Sequence, residues 1–337
     1  MTSGEGGTAP LPHLVDARQS LGPAILDDLF PEGDAFRRSL QTFVVLLALA
    51  SLISAFGLFQ DSTASIIGAM VVAPLGGAIM AFAGALVTGR TRWVGITFLQ
   101  IALGALMTVA IGYGVSALLP NPLNLTPSLA ARTSPNLLDL GVALAAGAAG
   151  AYVAARRTGV DALPGVAIAV SLVPPLSTAG ICLELGRTSD AAGAMLLFLT
   201  NFSAITVVAC IVFALSHATP SRSDVRARRQ LQLGFVIAVA ALVVLAIPLA
   251  ANSMVEVQDT IRETESAPIV QAWIGGRDLQ VQSWTIDGDA ATIYLRGSET
   301  PPAVQPLADQ LANATGGPIT IQIDYTHVDR TSASAAP

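Results

Sequence analysis

Apolar runs of about 20 residues, the length needed to cross a bilayer's hydrocarbon, recur between positions 40 and 250, with short polar stretches between them. They predict seven spans, near 40–59, 64–87, 93–119, 137–155, 163–183, 191–215 and 231–250. Past residue 252 the pattern changes in kind. Val255 to Ala272 is polar with helical spacing, and Val281 to Ile286 and Ala291 to Leu295 alternate on either side of the turn signal Asp287-Gly288-Asp289. Pro302 to Ala314 reads as a helix and Ile319 to Tyr325 as a third strand. The expected fold class is an all-α polytopic membrane protein of about seven transmembrane helices with a small C-terminal α/β domain. Its divisions are a polar arm at 1–36, a transmembrane domain at 37–250, the α/β domain at 251–330 and a disordered tail at 331–337. Within the arm, Leu14, Leu21, Ile25 and Leu29 stand at helical spacing. A surface-lying amphipathic helix and a flexible tail are both compatible with that.

Two of the spans carry proline at their centres. The second holds Pro74, followed by Gly76-Gly77, and the fifth holds Pro174-Pro175. Each is the middle member of a set of three. Gly/Pro-broken spans at matching places in two halves point to a transporter site at a repeat interface, so a 3+3 inverted repeat with helices two and five broken is expected. Proline removes one helical hydrogen bond. It therefore frees the carbonyl of Met70 in the first case and those of Val170 and Ser171 in the second. The half-helix beyond each break presents free N–H groups and a partial positive charge. The expected solute-binding set is Met70, Pro74, Gly76, Gly77, Val170, Ser171, Pro174, Pro175, Ser177, Thr178 and Asn201. A plain kink that shapes the bundle is the other reading.

Polar side chains inside the spans are few, and each is a functional candidate by position. Asn201 reads either as a ligand for solute or ion or as a hydrogen-bonding link between helices. Gln100 reads as such a link, and Asp139 and Glu184 as interfacial. The fourth span is dense in Gly and Ala, so the region of Gly147, Gly150 and Ala151 should meet another helix at close range, within one subunit or between two. A homo-oligomer is expected.

Charge then sets the orientation. Hydrophobic residues are 53% and charged residues 12% of the chain, against about 25% charged in a soluble domain. Every basic residue apart from histidine is Arg. Arg37, Arg38, Arg90, Arg92, Arg156, Arg157, Arg222, Arg226, Arg228 and Arg229 precede the odd-numbered spans, whereas the alternate loops hold Arg132 and Arg187. This asymmetry places the N-terminus in the cytoplasm and the C-terminal domain outside the cell membrane. Residues 1–35, mostly polar and mildly acidic, do not read as a secretory signal. The net charge of −6 is no nucleic-acid footprint. Cys182 and Cys210 fall in apolar spans and read as inert thiols. Gly112-Tyr113-Gly114-Val115-Ser116-Ala117 loosely matches a dinucleotide glycine pattern, but no strand precedes it. There is no phosphate-binding Gly-Lys-Ser/Thr loop, and His13, His217 and His327 are scattered. No catalytic residue, metal or cofactor is expected, and the chain does not read as an enzyme.

Three motifs carry a family resemblance. Ile67-Gly68-Ala69-Met70-Val71-Val72-Ala73-Pro74-Leu75-Gly76, then Gly165 to Leu176 (GVAIAVSLVPPL), then Leu197-Phe198-Leu199-Thr200-Asn201 stand in order within residues 37–215. They resemble the runs of the bacterial and archaeal membrane family called domain of unknown function 389. The resemblance implies a multi-span integral membrane protein, often with an added soluble domain, and says little about activity. The residues themselves favour a secondary transporter or channel-like permease for a small polar or anionic solute. The alternative is a non-transporting sensor or scaffold whose outer domain binds a ligand or an envelope partner. A hydrated cavity reaching the two breaks separates these readings.

Overall fold

The computed structural model describes residues 30–119, 125–156, 172–216, 225–287, 289–315 and 317–327. The chain divides into two compact units, Met1–Leu249 and Ala250–Pro337. In the first unit the described elements are α1 (Asp34–Phe59), α2 (Thr63–Val72), α3 (Leu75–Thr88), α4 (Thr91–Leu118), the short α5 (Pro127–Ala130), α6 (Leu137–Arg156), α7 (Val173–Glu184) and α8 (Thr188–Leu215). A long helix, α9 (Val225–Ile274), follows.

Among the described residues, five helices are long and apolar enough to cross a membrane: α1, α4, α6 up to Ala155, α8, and the Gln232–Val255 stretch of α9. Helices α2 and α3 together are long and apolar enough as well, bent by 44° at the break, as a broken span or a re-entrant loop, so the described helices account for five to six of the seven expected spans. The chain is thus a multi-pass membrane protein. Of the run expected to span near 163–183, only α7 belongs to the described residues; residues 157–171 lie outside them, as do the N-terminal arm up to residue 29 and the C-terminal tail.

Local signals explain the helix limits. Ser62 caps α2 through its hydroxyl, which accepts from Ser65 N–H at 3.4 Å. Thr126 caps α5, with Pro127 at the first helical position. Asn136 and Asp139 form a reciprocal cap on α6. Asn136 Oδ1 accepts from Leu138 and Asp139 N–H, and Asp139 Oδ2 accepts from Asn136 N–H at 2.9 Å. Helices α3 and α7 both end at a left-handed glycine followed by Arg-Thr. Gly89 has φ +70° and Gly186 φ +72°, while Arg90 and Arg187 have φ −83° and −89°. Each turn opens a helix of 28 residues, α4 and α8. The positive φ explains the glycine at both places.

Small residues let these helices pack backbone against backbone. A side chain at Gly112 on α4 would meet the Ser177 carbonyl of α7 at 2.5 Å, and one at Gly180 on α7 would run into the Val109 carbonyl of α4. A side chain at Gly147 on α6 would meet Ile205 Cα of α8 at 2.9 Å. The close contact expected of this region is thus found within one chain, at Gly147. The core of the unit includes Phe43, Leu47, Leu58, Ile79, Leu176, Ile205 and Phe213. Apolar side chains such as Leu103, Leu106, Val244 and Ile247 face outward, as they do on helices surrounded by lipid.

In the second unit the last turns of α9 precede β1 (Leu279–Asp287), β2 (Ala290–Gly297), α10 (Gln305–Thr315) and β3 (Thr320–His327). This is the expected order of helix, two strands, helix, strand. β2 is central, antiparallel to β1 and parallel to β3, which α10 connects as a crossover. Alternation sends Leu279, Ile293 and Leu295 to one face, where Val270, Ile274, Leu307 and Leu311 complete a separate core. The register shifts between Val281 and Ser283, a bulge that displaces the alternation on this edge strand.

Candidate functional site: a broken helix between two cavities

The site is built around the break between α2 and α3. The Ala73 N–H still bonds the Ala69 carbonyl at 3.1 Å. Pro74 has no N–H to continue the ladder, and Ala73 turns extended (φ −69°, ψ 127°) before α3 begins at Leu75. The bend follows from this one missing donor.

The connectivity gives the bundle two distinct ends. At one, Arg37 and Arg38 open α1, Arg90 and Arg92 flank the start of α4, and Arg156 closes α6. Aromatic contacts tie this end together. The Phe30 and Trp93 rings lie 5.2 Å apart, Phe36 stands edge-on to Trp93 at 5.9 Å, and the Arg90 guanidinium sits 4.9 Å over Phe30. At the opposite end, Thr126 Oγ1 donates to the Leu58 carbonyl at 2.8 Å. Ser128 N–H donates to Asp61 Oδ1 at 2.9 Å, and Ser116 Oγ donates to Glu184 Oε2 at 2.7 Å.

A cavity of about 350 Å³ lies toward the arginine-rich end. Its lining includes Pro31, Phe36, Ser39, Trp93, Thr97 and Gln100 along with Pro74, Gly77 and Ala78. A second cavity of about 220 Å³ lies toward the other end, lined by Met70, Ala131, Arg132, Asp139, Val142, Pro175, Leu197 and Asn201. The break thus stands between two hollows: Met70, just before it, belongs to one, and Pro74 and Gly77, just after it, belong to the other.

The expected binding residues divide accordingly. Met70, Pro175 and Asn201 come together in the second cavity, and Pro74 and Gly77 line the first. Gly76, Pro174, Ser177 and Thr178 are buried in packed helices and line neither cavity. Val170 and Ser171 lie outside the described residues. Among the described residues, the hydroxyls of Ser177 and Thr178 have no hydrogen-bond partner. Asn201 is 3% exposed.

Two polar groups acquire roles that sequence reasoning did not give them. Gln100, read as a link between helices, lines the first cavity. Arg132, read only as a loop charge, lines the second, where its Nη1 donates to the Ser128 carbonyl. Burial pushes the Arg132 guanidinium below its usual range, while the carboxylates of Asp139 and Asp61 hold it up. Guanidinium basicity is high enough to keep it a cation. The signal that would have found it is its rarity, since Arg132 is one of two arginines in the loops of that end. Asp139, read as interfacial, serves both as a helix cap and as a cavity wall. Cys182 and Cys210 are free and buried, and Cys210 Sγ–H points to the Ala83 carbonyl at 3.8 Å.

Residues 70–208 match the family described as Domain of unknown function (DUF389). This bears out the resemblance read from the three motifs. Across 179 residues, 53% of the chain, it is 25% identical to an uncharacterized protein of Methanocaldococcus jannaschii. The match covers 55% of that relative, so the chain spans about half the length of the curated protein it resembles. The family covers α2's last turns through most of α8, and with them the break, Arg132, Asp139 and Asn201.

Proposed function

We propose that this chain is a secondary transporter or channel-like permease for a small polar or anionic solute, and that its work is passage and not catalysis. The observation that carries the reading is the pair of cavities reaching the α2–α3 break from opposite ends of one bundle. A scaffold has no use for two hollows that end on the same broken helix. A permease needs this arrangement, because irregular backbone at membrane depth is tolerated where it lines a cavity.

The reading calls for an inverted repeat, and two local features favour one, although counting from them pairs Pro74 with Ser171, three residues before Pro174. Two Gly-Arg-Thr turns of nearly equal geometry open two helices of equal length. Counted from those turns, Ala83 and Gly180 are equivalent positions, as are Tyr113 and Cys210. The close approaches respect that equivalence: a side chain at Gly180 would stand 2.8 Å from Tyr113 N, and Cys210 faces Ala83. The arginine-rich end is the cytoplasmic one on this reading, which puts residues 251–330 outside the cell membrane.

Flux into liposomes carrying the purified chain tests the proposal. Chloride, bicarbonate, small carboxylates and polyols should pass in preference to organic cations. An added Cβ at Gly77 meets nothing within 4 Å, so Gly77→Leu should fill the first cavity and block flux without lowering the melting temperature. Flux of organic cations alone, or full flux in Gly77→Leu, overturns it. A sensor or scaffold is the second reading, favoured by the self-contained core of the C-terminal unit, and it predicts no flux for any solute.

A further inference from the structure

The second cavity holds one full charge of each sign. Arg132 and Asp139 both line it, yet each is fastened to backbone and not to the other: Arg132 to the Ser128 carbonyl, Asp139 to Asn136 N–H. Among the described residues no direct ion pair joins them. The guanidinium keeps most of its five donors, and the carboxylate keeps its second oxygen. A lone anion entering here would be drawn to Arg132 and repelled by Asp139, and a lone cation would meet the reverse. A solute carrying both charges answers both groups. Its carboxylate suits the planar fork of Arg132, and its ammonium suits a carboxylate acceptor. Burying two such pairs costs less desolvation than burying a single unmatched charge.

Size narrows the class. A cavity of about 220 Å³ suits a small solute better than a large one. The lining also includes the apolar side chains of Met70, Val142 and Leu197, which suit a short aliphatic group. We infer that the second cavity is a binding site for a small zwitterion of the amino-acid class, its carboxylate at Arg132 and its ammonium at Asp139. The inference deepens the permease reading by naming the solute, and passage of that solute rests on that reading.

Equilibrium binding and liposome flux with three near-isosteric probes test it: L-alanine, propionate, which lacks the ammonium, and ethylamine, which lacks the carboxylate. The full chain should bind alanine at least tenfold more tightly than either of the others. Arg132→Gln should lose alanine at least tenfold and shift preference toward ethylamine. Asp139→Asn keeps an amide oxygen for the Asn136 N–H and should shift preference toward propionate. A misfolded variant would lose all three probes together, so opposite shifts in the two variants are a readout that mere damage does not give. Equal affinity for alanine and propionate overturns the site. So does an alanine-to-propionate ratio that neither variant changes, or binding of none of the three. Charge-dependent alanine binding without flux upholds the site and removes the permease reading. Flux of other solutes, indifferent to both variants, removes the site and leaves the permease.

Discussion

Helices α3 and α7 begin with the same signal, proline in an apolar run, and come to different ends. In α7 every residue from Val173 to Cys182 is buried, pressed between α4 and α8 with glycines at the crossings. α3 is buried over most of its length but keeps Gly77 open at its first turn, against a cavity. One half-helix is a central post, and the other is a wall with space beside it. Proline settles where a helix starts, because it removes a donor and fixes φ. Neighbours decide whether the freed backbone meets side chains or a hollow.

The sharpest way to break this contrast is to add one methyl group to each half-helix. Gly180→Ala drives a Cβ into the Val109 carbonyl and within 2.8 Å of Tyr113 N. Backbone cannot move aside as a flexible side-chain tip does, so overpacking should cost about 3 kcal/mol or abolish folding. Gly77→Ala meets nothing within 4 Å, and better helix propensity should stabilise by about 0.5–1 kcal/mol. Thermal melts in detergent would show the first protein melting far lower and the second slightly higher. Equal shifts would mean that α7 is no more tightly held than α3.

A second test uses hydroxyls. Ser51 Oγ on α1 donates to the Leu47 carbonyl at 2.7 Å and meets Thr108 Oγ1 of α4 at 3.0 Å. Ser51→Ala should therefore cost about 1 kcal/mol. Thr178 on α7 is equally buried, but its hydroxyl has no partner among the described residues. Thr178→Val removes an unsatisfied group and keeps the shape, so stability should hold or rise by about 1 kcal/mol. A loss of that size in Thr178→Val would show that the hydroxyl grips a solute or a water molecule, and α7 would join the wall of the site.

These contrasts bear on what the sequence could disclose. Five or six of the spans and the break at Pro74 were legible because each rests on a local property: run length for the spans, a missing N–H for the break. The C-terminal order was legible from alternation and a turn signal, again local. Asn201 stood out as an amide in an apolar run. Gln100 stood out too but was read as a link between helices, and Arg132 did not stand out, because lining a cavity depends on which helices face each other, and no periodicity carries that. Ser177 and Thr178 show the other side of the same dependence. They sit beside the double proline in sequence, but α7 turns them into packed surroundings and leaves Pro175, with Met70 and Asn201, at the cavity. Proximity along the chain stood in for proximity in space, and one helical turn separates the two.

The smallest expected effect concerns the end of the bundle where α1 meets α2. Asp61 sits there with φ +52°, a left-handed conformation that Asp and Asn tolerate better than most residues. Hydrogen bonds from the side chain and backbone of Ser128 hold its carboxyl below the usual carboxylate range, and Arg132 adds a weaker pull. A depressed folded-state value means that the unfolded chain binds the proton more readily. The contribution to stability is thus complete above the ordinary value of 3.8 and is lost as pH falls through the folded value. Asp61→Asn keeps the backbone preference and an oxygen for the Ser128 N–H, but it does not titrate. The melting-temperature difference between the parent and Asp61→Asn should stay constant from neutral pH down to about 5 and then shrink. The shift should be slight, because the group is exposed to solvent. Parent and variant curves that run parallel down to pH 3 would mean that the Ser128 bonds give no preference to the ionised carboxylate over its neutral form.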